Sequence, residues 1–305
     1  MDQAEWKVLK EIADLEKTPQ GAYNFRVNGQ LDARQVTANI DIVSKTDKPG
    51  IDIIVKPGTK GESVHIPVVI SQTGLTDVVY NDFYIGEGAQ VDIVAGCGIH
   101  NTGCETSQHD GIHVFHIGKN ARVKYVERHY GEGPGTGERI LNPRTEVYLD
   151  EGAYIEMEMT QIRGVDSTVR DTVAEVAAGG ECVMLEKLLT DGTQTAESNM
   201  EIILKGKGAT GRVISRSVAK DHSVQVFHPC MTGKADCFGH VQCDSIIMDE
   251  AKIKSIPAID AQDVDAQLIH EAAIGRIAGD QILKLLTLGL TEEEAEEKIL
   301  EGFLN

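Results

Sequence analysis

YIGEGAQVDI (residues 84–93), HIGKNARVKY (116–125) and YLDEGAYIEM (148–157) are three versions of one string, and their alanines, Ala89, Ala121 and Ala153, stand 32 residues apart each time. Weaker versions follow as EVAAGGECVM (175–184), ILKGKGATGR (203–212) and IIMDEAKIKS (246–255). Each unit reads as a strand, a tight turn in which Gly or Asn supplies a positive φ, and a second strand. Such a unit cannot bury its apolar face alone, whereas stacked copies can. The near-constant spacing predicts a mainly β chain folded as a parallel β-helix (β-solenoid), its rungs adding by parallel pairing. An antiparallel sandwich with similar turns is the competing arrangement.

Outward from the repeats the periodicity changes. Near the N-terminus Trp6, Leu9, Ile12 and Leu15 lie on one helical face and Pro19 stops the pattern, so residues 1–35 are expected to be a helical segment. Residues 36–276, rich in short Val/Ile runs and glycine-bearing turns, form the expected β-helix core. Beyond it, Ile282, Leu283, Leu285 and Leu286 precede Gly289, an αL stop, and Thr291 with Glu294 makes a capping box for a second helix carrying Ala295, Ile299 and Phe303. Residues 277–305 are therefore expected to be a helical hairpin, either closing the solenoid end or offering a partner an apolar face.

Among the 305 residues 48 are acidic and 29 basic, a net charge of −19 that argues against nucleic-acid and anionic-membrane partners. No apolar run approaches the ~18 residues of a membrane span. The opening MDQAEWK has neither the basic nor the apolar region of a secretory signal, so a cytoplasmic location with reduced cysteines is expected. The signatures GxxxxGK[ST], HExxH, GxSxG and Cys-x-x-Cys are missing, which argues against an internal ATPase or zinc protease.

Two stretches concentrate metal- and sulfur-binding side chains. CGIHNTGCETSQHDGIHVFH (97–116) holds Cys97, His100, Cys104, His109, His113 and His116, with His129 close behind. Its spacings match no zinc motif, and strand geometry would send His113 and His116 to different faces; packing or hydrogen bonding competes with a metal role. HPCMTGKADCFGHVQCDS (228–245) holds Cys237 and Cys243, which an unbroken strand would separate by ~20 Å, too far to share an ion. Lone cysteines such as Cys182 and Cys230 read as small hydrophobes. Cys243 differs in standing between the polar Gln242 and Asp244. Later, LIHEAAIGRI (268–277) places His270 beside Glu271, and a strand would turn them to opposite sides.

The ordered series CDSIIM, SIPAI, HEAAIGRI and GDQILKLLTLGLTEEEAEEKILEGF, with PGTKGESVHIPVVI (57–70) and SRSVAKDHSVQVF (215–227) upstream, resembles the SufB/SufD family of iron–sulfur cluster assembly proteins over nearly the whole chain. The resemblance implies a parallel β-helix whose C-terminal helices hold a SufC-like ABC ATPase. It also implies a transient iron–sulfur cluster, a sulfur donor and recipient apoproteins. Cys243 in QCDS matches the scaffold cysteine of SufB, and His270 with Glu271 matches its His-Glu-Ala motif, where SufD-type chains carry His-Gly. The chain is shorter than the usual bacterial SufB and lacks its cysteine-rich N-terminal cluster motif, which leaves the parts of Cys97 and Cys104 open.

A thiolate holds iron or sulfane sulfur strongly, whereas imidazole and carboxylate are harder ligands that release a cluster more readily. The expected cluster ligands are thus Cys243, His270 and Glu271, on a non-enzymatic scaffold that pairs as a homodimer or with a SufD-like paralogue. In the expected homodimer Glu271 lies on the side of Cys243 in its own chain, and His270 reaches the Cys243 of the second copy. The competing readings are a structural or zinc-binding solenoid using the 97–129 cluster, and a polysaccharide-cleaving β-helix. The latter lacks aligned basic residues, and its acidic surface would repel a polyanion.

Overall fold

The computed structural model describes residues 1–304. The repeated strings form its corners. Ala89, Ala121 and Ala153 are fully or almost fully buried, and each donates its backbone N–H to the carbonyl three residues earlier, at Gly86, Gly118 and Asp150. The residue before each alanine sits at positive φ: Gly88 at 65°, Asn120 at 55° and Gly152 at 68°. That conformation needs Gly or Asn and turns the chain from one sheet into the other.

Two long sheets result, wound into a solenoid of about 8 turns. One runs, edge to edge, β2 (Gln30–Gln35), β1 (Ala22–Val27), β5 (Glu62–Ile70), β7 (Gln90–His100), β9 (Arg122–Glu132), β12 (Tyr154–Arg163), β14 (Glu181–Thr190), β16 (Thr210–Ala219), β18 (Phe238–Ile247) and β21 (Gln267–Gly275). The other runs β19 (Lys252–Ser255), β17 (Val224–Gly233), β15 (Thr195–Leu204), β13 (Ser167–Val176), β10 (Arg139–Leu141), β8 (Ser107–Ile117), β6 (Thr76–Ile85), β4 (Gly50–Val55) and β3 (Ile40–Ser44). β11 (Arg144–Leu149) continues the line of β10, and β20 (Ala258–Ala261) pairs with β17. Neighbours pair in parallel except β1 with β2 and β3 with β4.

In-register parallel strands align alternate side chains into files along the lumen. One file is Ile53, Phe83, Phe115, Val147, Ala174, Ile202 and Met231, all buried. Phe83 and Phe115 stack with centroids 4.1 Å apart. At ~1.5–3 kcal/mol for each large side chain removed from water, these files are the main stabilising element.

The expected N-terminal helical segment is shorter than its 1–35 span. Helix α1 (Gln3–Ala13) starts in a capping box between Asp2 and Glu5 and ends at Asp14, while Ala22–Gln35 already forms β1 and β2. Helix α1 buries Val8, Leu9 and Ile12 against the outer face of β7. Two glycines make that seat: a Cβ on Gly96 would stand 2.6 Å from the Ile12 carbonyl oxygen, and one on Gly98 2.1 Å from Val8 Cγ1.

After β21 come α2 (Gly279–Thr287) and α3 (Glu292–Leu304), joined through Gly289 at φ 96° and the Thr291–Glu294 capping box. Helix α3 buries Ala295 and Leu300, and its Phe303 carbonyl accepts a hydrogen bond from Arg216 on β16. Helix α2 buries nothing; its Leu283 and Leu286, and Leu288 just after it, stay exposed. No described helix is long and apolar enough to cross a membrane.

Candidate functional site

The inward side chains of β18 include Val241 and Cys243, 0% and 3% exposed. β21 lies beside it with His270 opposite Val241 and Ala272 opposite Cys243. Partners in register share a face. His270 therefore belongs to the lumen face with Cys243, one alternate position along. Glu271, opposite Gln242, is on the outer face, where its Oε2 lies 3.7 Å from His240 Nε2. This reverses the expected faces, which put Glu271 rather than His270 on the side of Cys243. The cause is rung length: Cys97 pairs with His129, 32 residues on, but Cys243 pairs with Ala272, 29 residues on, and an odd rung exchanges the faces of odd- and even-numbered residues.

Burial and the negative charge of Glu186 push the Cys243 thiol up to about 11. The Ser255 hydroxyl, from the opposite sheet, works against that shift without making a hydrogen bond of ordinary geometry. Glu186, Ser215 and Cys243 form one inner file on β14, β16 and β18. The Glu186 carboxylate accepts from Ser198 Oγ at 2.7 Å and Ser215 Oγ at 2.9 Å, and burial raises its pKa. His270 Nε2 is buried and has no hydrogen-bond partner; burial, helped by His240, holds the imidazole below its usual value and so neutral. A neutral imidazole with an unpartnered nitrogen and a thiol on one face are donors suited to a thiophilic metal.

The 97–129 cluster divides between the two sides of the wall. Cys97, His109 and His129 face the lumen together. Burial alone would raise the Cys97 thiol, but charge and hydrogen bonding from His109 and His129 overcome it and bring Cys97 down to about 7. His109 is lifted against burial to about 10 by that thiolate and by Asp77, whose Oδ2 lies 3.1 Å from Nδ1. Arg26 holds Asp77 from the other side at 2.8 Å. The two imidazoles thus favour the thiolate form of Cys97, and the Asp77 carboxylate orients His109. His113 is inward and bonded to Tyr125 Oη at 2.9 Å, whereas His116 is outside, stacked between Tyr84 and Tyr148 at 5.1 and 5.6 Å. Cys104 is exposed, and His100 pairs with Glu132. Among the described residues no group of three His, Cys, Asp or Glu side chains is placed so as to hold a metal ion.

Between the two thiols a chain of buried ions runs along the lumen beside its apolar files. Glu127, beside His129, binds Arg170 at 2.6 Å, and Arg170 Nε lies 3.9 Å from Glu186. Sequence reasoning singled out none of Asp77, Glu127, Arg170 or Glu186. The available signal was a charged residue at an inward position of an alternating strand, as in Val123, Tyr125, Glu127, His129.

The fold is a parallel β-solenoid that carries Cys97, Cys243 and His270 on the inner face of one sheet. The model of the SUF system FeS cluster assembly SufBD core domain matches residues 71–303, and the chain belongs to that family. It is 25% identical over 265 residues to an iron–sulfur cluster assembly SufBD family protein of Methanothermobacter thermautotrophicus, covering 84% of this chain and 62% of that one. A Methanocaldococcus jannaschii protein of the same description is 27% identical over 256 residues, 83% and 79% of the two chains. One from Pyrococcus horikoshii is 24% identical over 318 residues, 98% and 94%. The chain thus spans about three fifths of the first of these relatives and almost all of the last. Family membership ties it to iron–sulfur cluster assembly.

Proposed function

We propose that this chain is a SufB-like, non-catalytic scaffold on which an iron–sulfur cluster is built and from which it is passed to recipient apoproteins. The observation that carries this reading is the pairing of Cys243 and His270 on one face of the last two strands, with the His270 Nε2 buried and unpartnered. One thiolate and one imidazole per chain are too few for storage and suit a cluster held briefly. Cys97, already a thiolate near neutral pH, is the candidate acceptor of sulfane sulfur from a donor protein.

ATP energy comes from a separate SufC-like ABC ATPase docked on the C-terminal hairpin, where the exposed Leu283 and Leu286 of α2, and Leu288 just after it, supply apolar anchors. β21 ends its sheet with an unpaired edge among the described residues, so a second copy or a SufD-like paralogue pairs there and completes the ligand set. The test is anaerobic reconstitution with ferrous iron and sulfide, read by visible absorbance. A brown chromophore that disappears in Cys243→Ser with unchanged circular dichroism is the expected result; a chromophore of full intensity in that variant removes Cys243 from the scaffold.

A further inference from the structure

The last turn of the solenoid holds two buried polar atoms without a hydrogen-bond partner, His270 Nε2 and Ser255 Oγ. The register of the two sheets says what the Ser255 hydroxyl faces. Glu186, Ser215 and Cys243 follow one another in an inner file on β14, β16 and β18. Ser198, Phe227 and Ser255 do the same on β15, β17 and β19 of the other sheet. The two files meet across the lumen where Ser198 Oγ donates to the Glu186 carboxylate at 2.7 Å, the residues being 12 apart in the chain. Two strands further on in each sheet, Cys243 and Ser255 stand at the same separation in the chain. Ser255 therefore faces the Cys243 sulfur as Ser198 faces the Glu186 carboxylate. The alternation along β19 agrees, with Lys252 and Lys254 exposed and Ile253 and Ser255 turned inward.

A buried hydroxyl without a partner destabilises the chain that carries it. A neutral thiol does little to relieve it, because S–H is a weak donor and its sulfur a weak acceptor. An anionic sulfur is a better acceptor, since hydrogen bonds to charged groups are about twice as strong as neutral ones. The hydroxyl is thus matched to the form of Cys243 that holds a metal, the thiolate.

We propose that Ser255 is a positioning residue for Cys243, its Oγ–H donating to the Cys243 sulfur when that sulfur carries a thiophilic metal. This rests on reading Cys243 as a metal-holding residue of the scaffold. The hydrogen bond is made only in the loaded state, so it favours loading. In the empty chain the hydroxyl is left without a partner, a cost that loading removes.

Cd²⁺ is the probe, because its thiolate charge-transfer band reports sulfur ligation without iron or sulfide. The band of wild type less that of Cys243→Ser isolates the share held by Cys243. Ser255→Ala is expected to weaken that share about 10-fold, and Ser255→Thr, which keeps the hydroxyl, to restore it. Metal-free Ser255→Ala is expected to unfold in urea no earlier than wild type, because the variant has lost only an unpartnered group. Unchanged Cd²⁺ affinity in Ser255→Ala overturns the proposal. Earlier unfolding of the metal-free variant, with binding lost equally in Ser255→Thr, overturns it in favour of a packing role. A wild-type band no larger than that of Cys243→Ser overturns the metal-holding role of Cys243 and that of Ser255 with it. Reconstitution with ferrous iron and sulfide reads the scaffold function separately: wild type that holds Cd²⁺ at Cys243 yet forms no chromophore ends that function and leaves the Ser255 contact to be decided by the Cd²⁺ titrations.

Discussion

Cys97 and Cys243 both point into the lumen from the same sheet, and both are less than a tenth exposed. Yet Cys97 is drawn down to about 7 and Cys243 pushed up to about 11. Burial acts in the same direction on both. The difference lies in the neighbours: two imidazoles backed by Asp77 around one thiol, the Glu186 carboxylate near the other. Burial of a cysteine therefore says nothing of its reactivity until the surrounding charges are named. The first setting favours the thiolate, the second the protonated thiol.

The largest effect that would break this contrast is at the chain's end. Cys243→Ser should abolish cluster formation, while Cys97→Ser should still form the chromophore when sulfide is supplied chemically; equal loss in both would erase the division of labour. Truncation after Ala278 should eliminate binding of the ATPase in a pull-down and leave the β circular-dichroism signal. Aggregation of the truncated chain would show that Ala295 and Leu300 mainly seal β16.

His109→Ala should raise the Cys97 thiol from about 7 past the ordinary ~8.5, read as thiolate absorbance against pH, with Cys243 unmoved. For stability, His113 is held by burial at about 4, below the 6.5 of the free side chain, so the unfolded chain takes up its proton first. Stability should fall as pH drops from about 6.5 to about 4, by up to roughly 3 kcal/mol, and His113→Gln should flatten that window in urea titrations. His109 has the opposite sign: its contribution is full below about 6.5 and disappears as pH rises through about 10. The smallest expected effect is Gly98→Ala, which drives a methyl into Val8 behind the Cys97 strand. It should cost about 1–3 kcal/mol and loosen α1 in hydrogen exchange, without altering cluster yield.

The corner strings made the solenoid legible, because an alanine beside a positive-φ Gly or Asn every 32 residues admits few other folds. The same regularity misled at the far end. Rungs pairing Cys97 with His129 and His129 with Gln161 preserve odd and even faces, but Met157 pairs with Met184, Glu186 with Ser215 and Cys243 with Ala272, all odd steps. No pattern in the sequence near Pro257, where β19 gives way to β20, counts the residues in that last turn. The hairpin and its capping box were readable because their signals are local. The pairing of Asp77 with His109 was not, since it joins residues 32 apart on neighbouring rungs.

Cys243 lies one strand from the end of its sheet, and His270 on the last strand. In a stack held by nearest-neighbour contacts, an inner rung must break two interfaces to leave, a terminal rung only one until a partner covers its edge. The two proposed cluster ligands thus occupy the part of the single chain that frays at least cost. On the proposed scaffold reading, a cluster there would be released by peeling back a single strand, while the remaining turns stay folded and hold Cys97 in its charged setting.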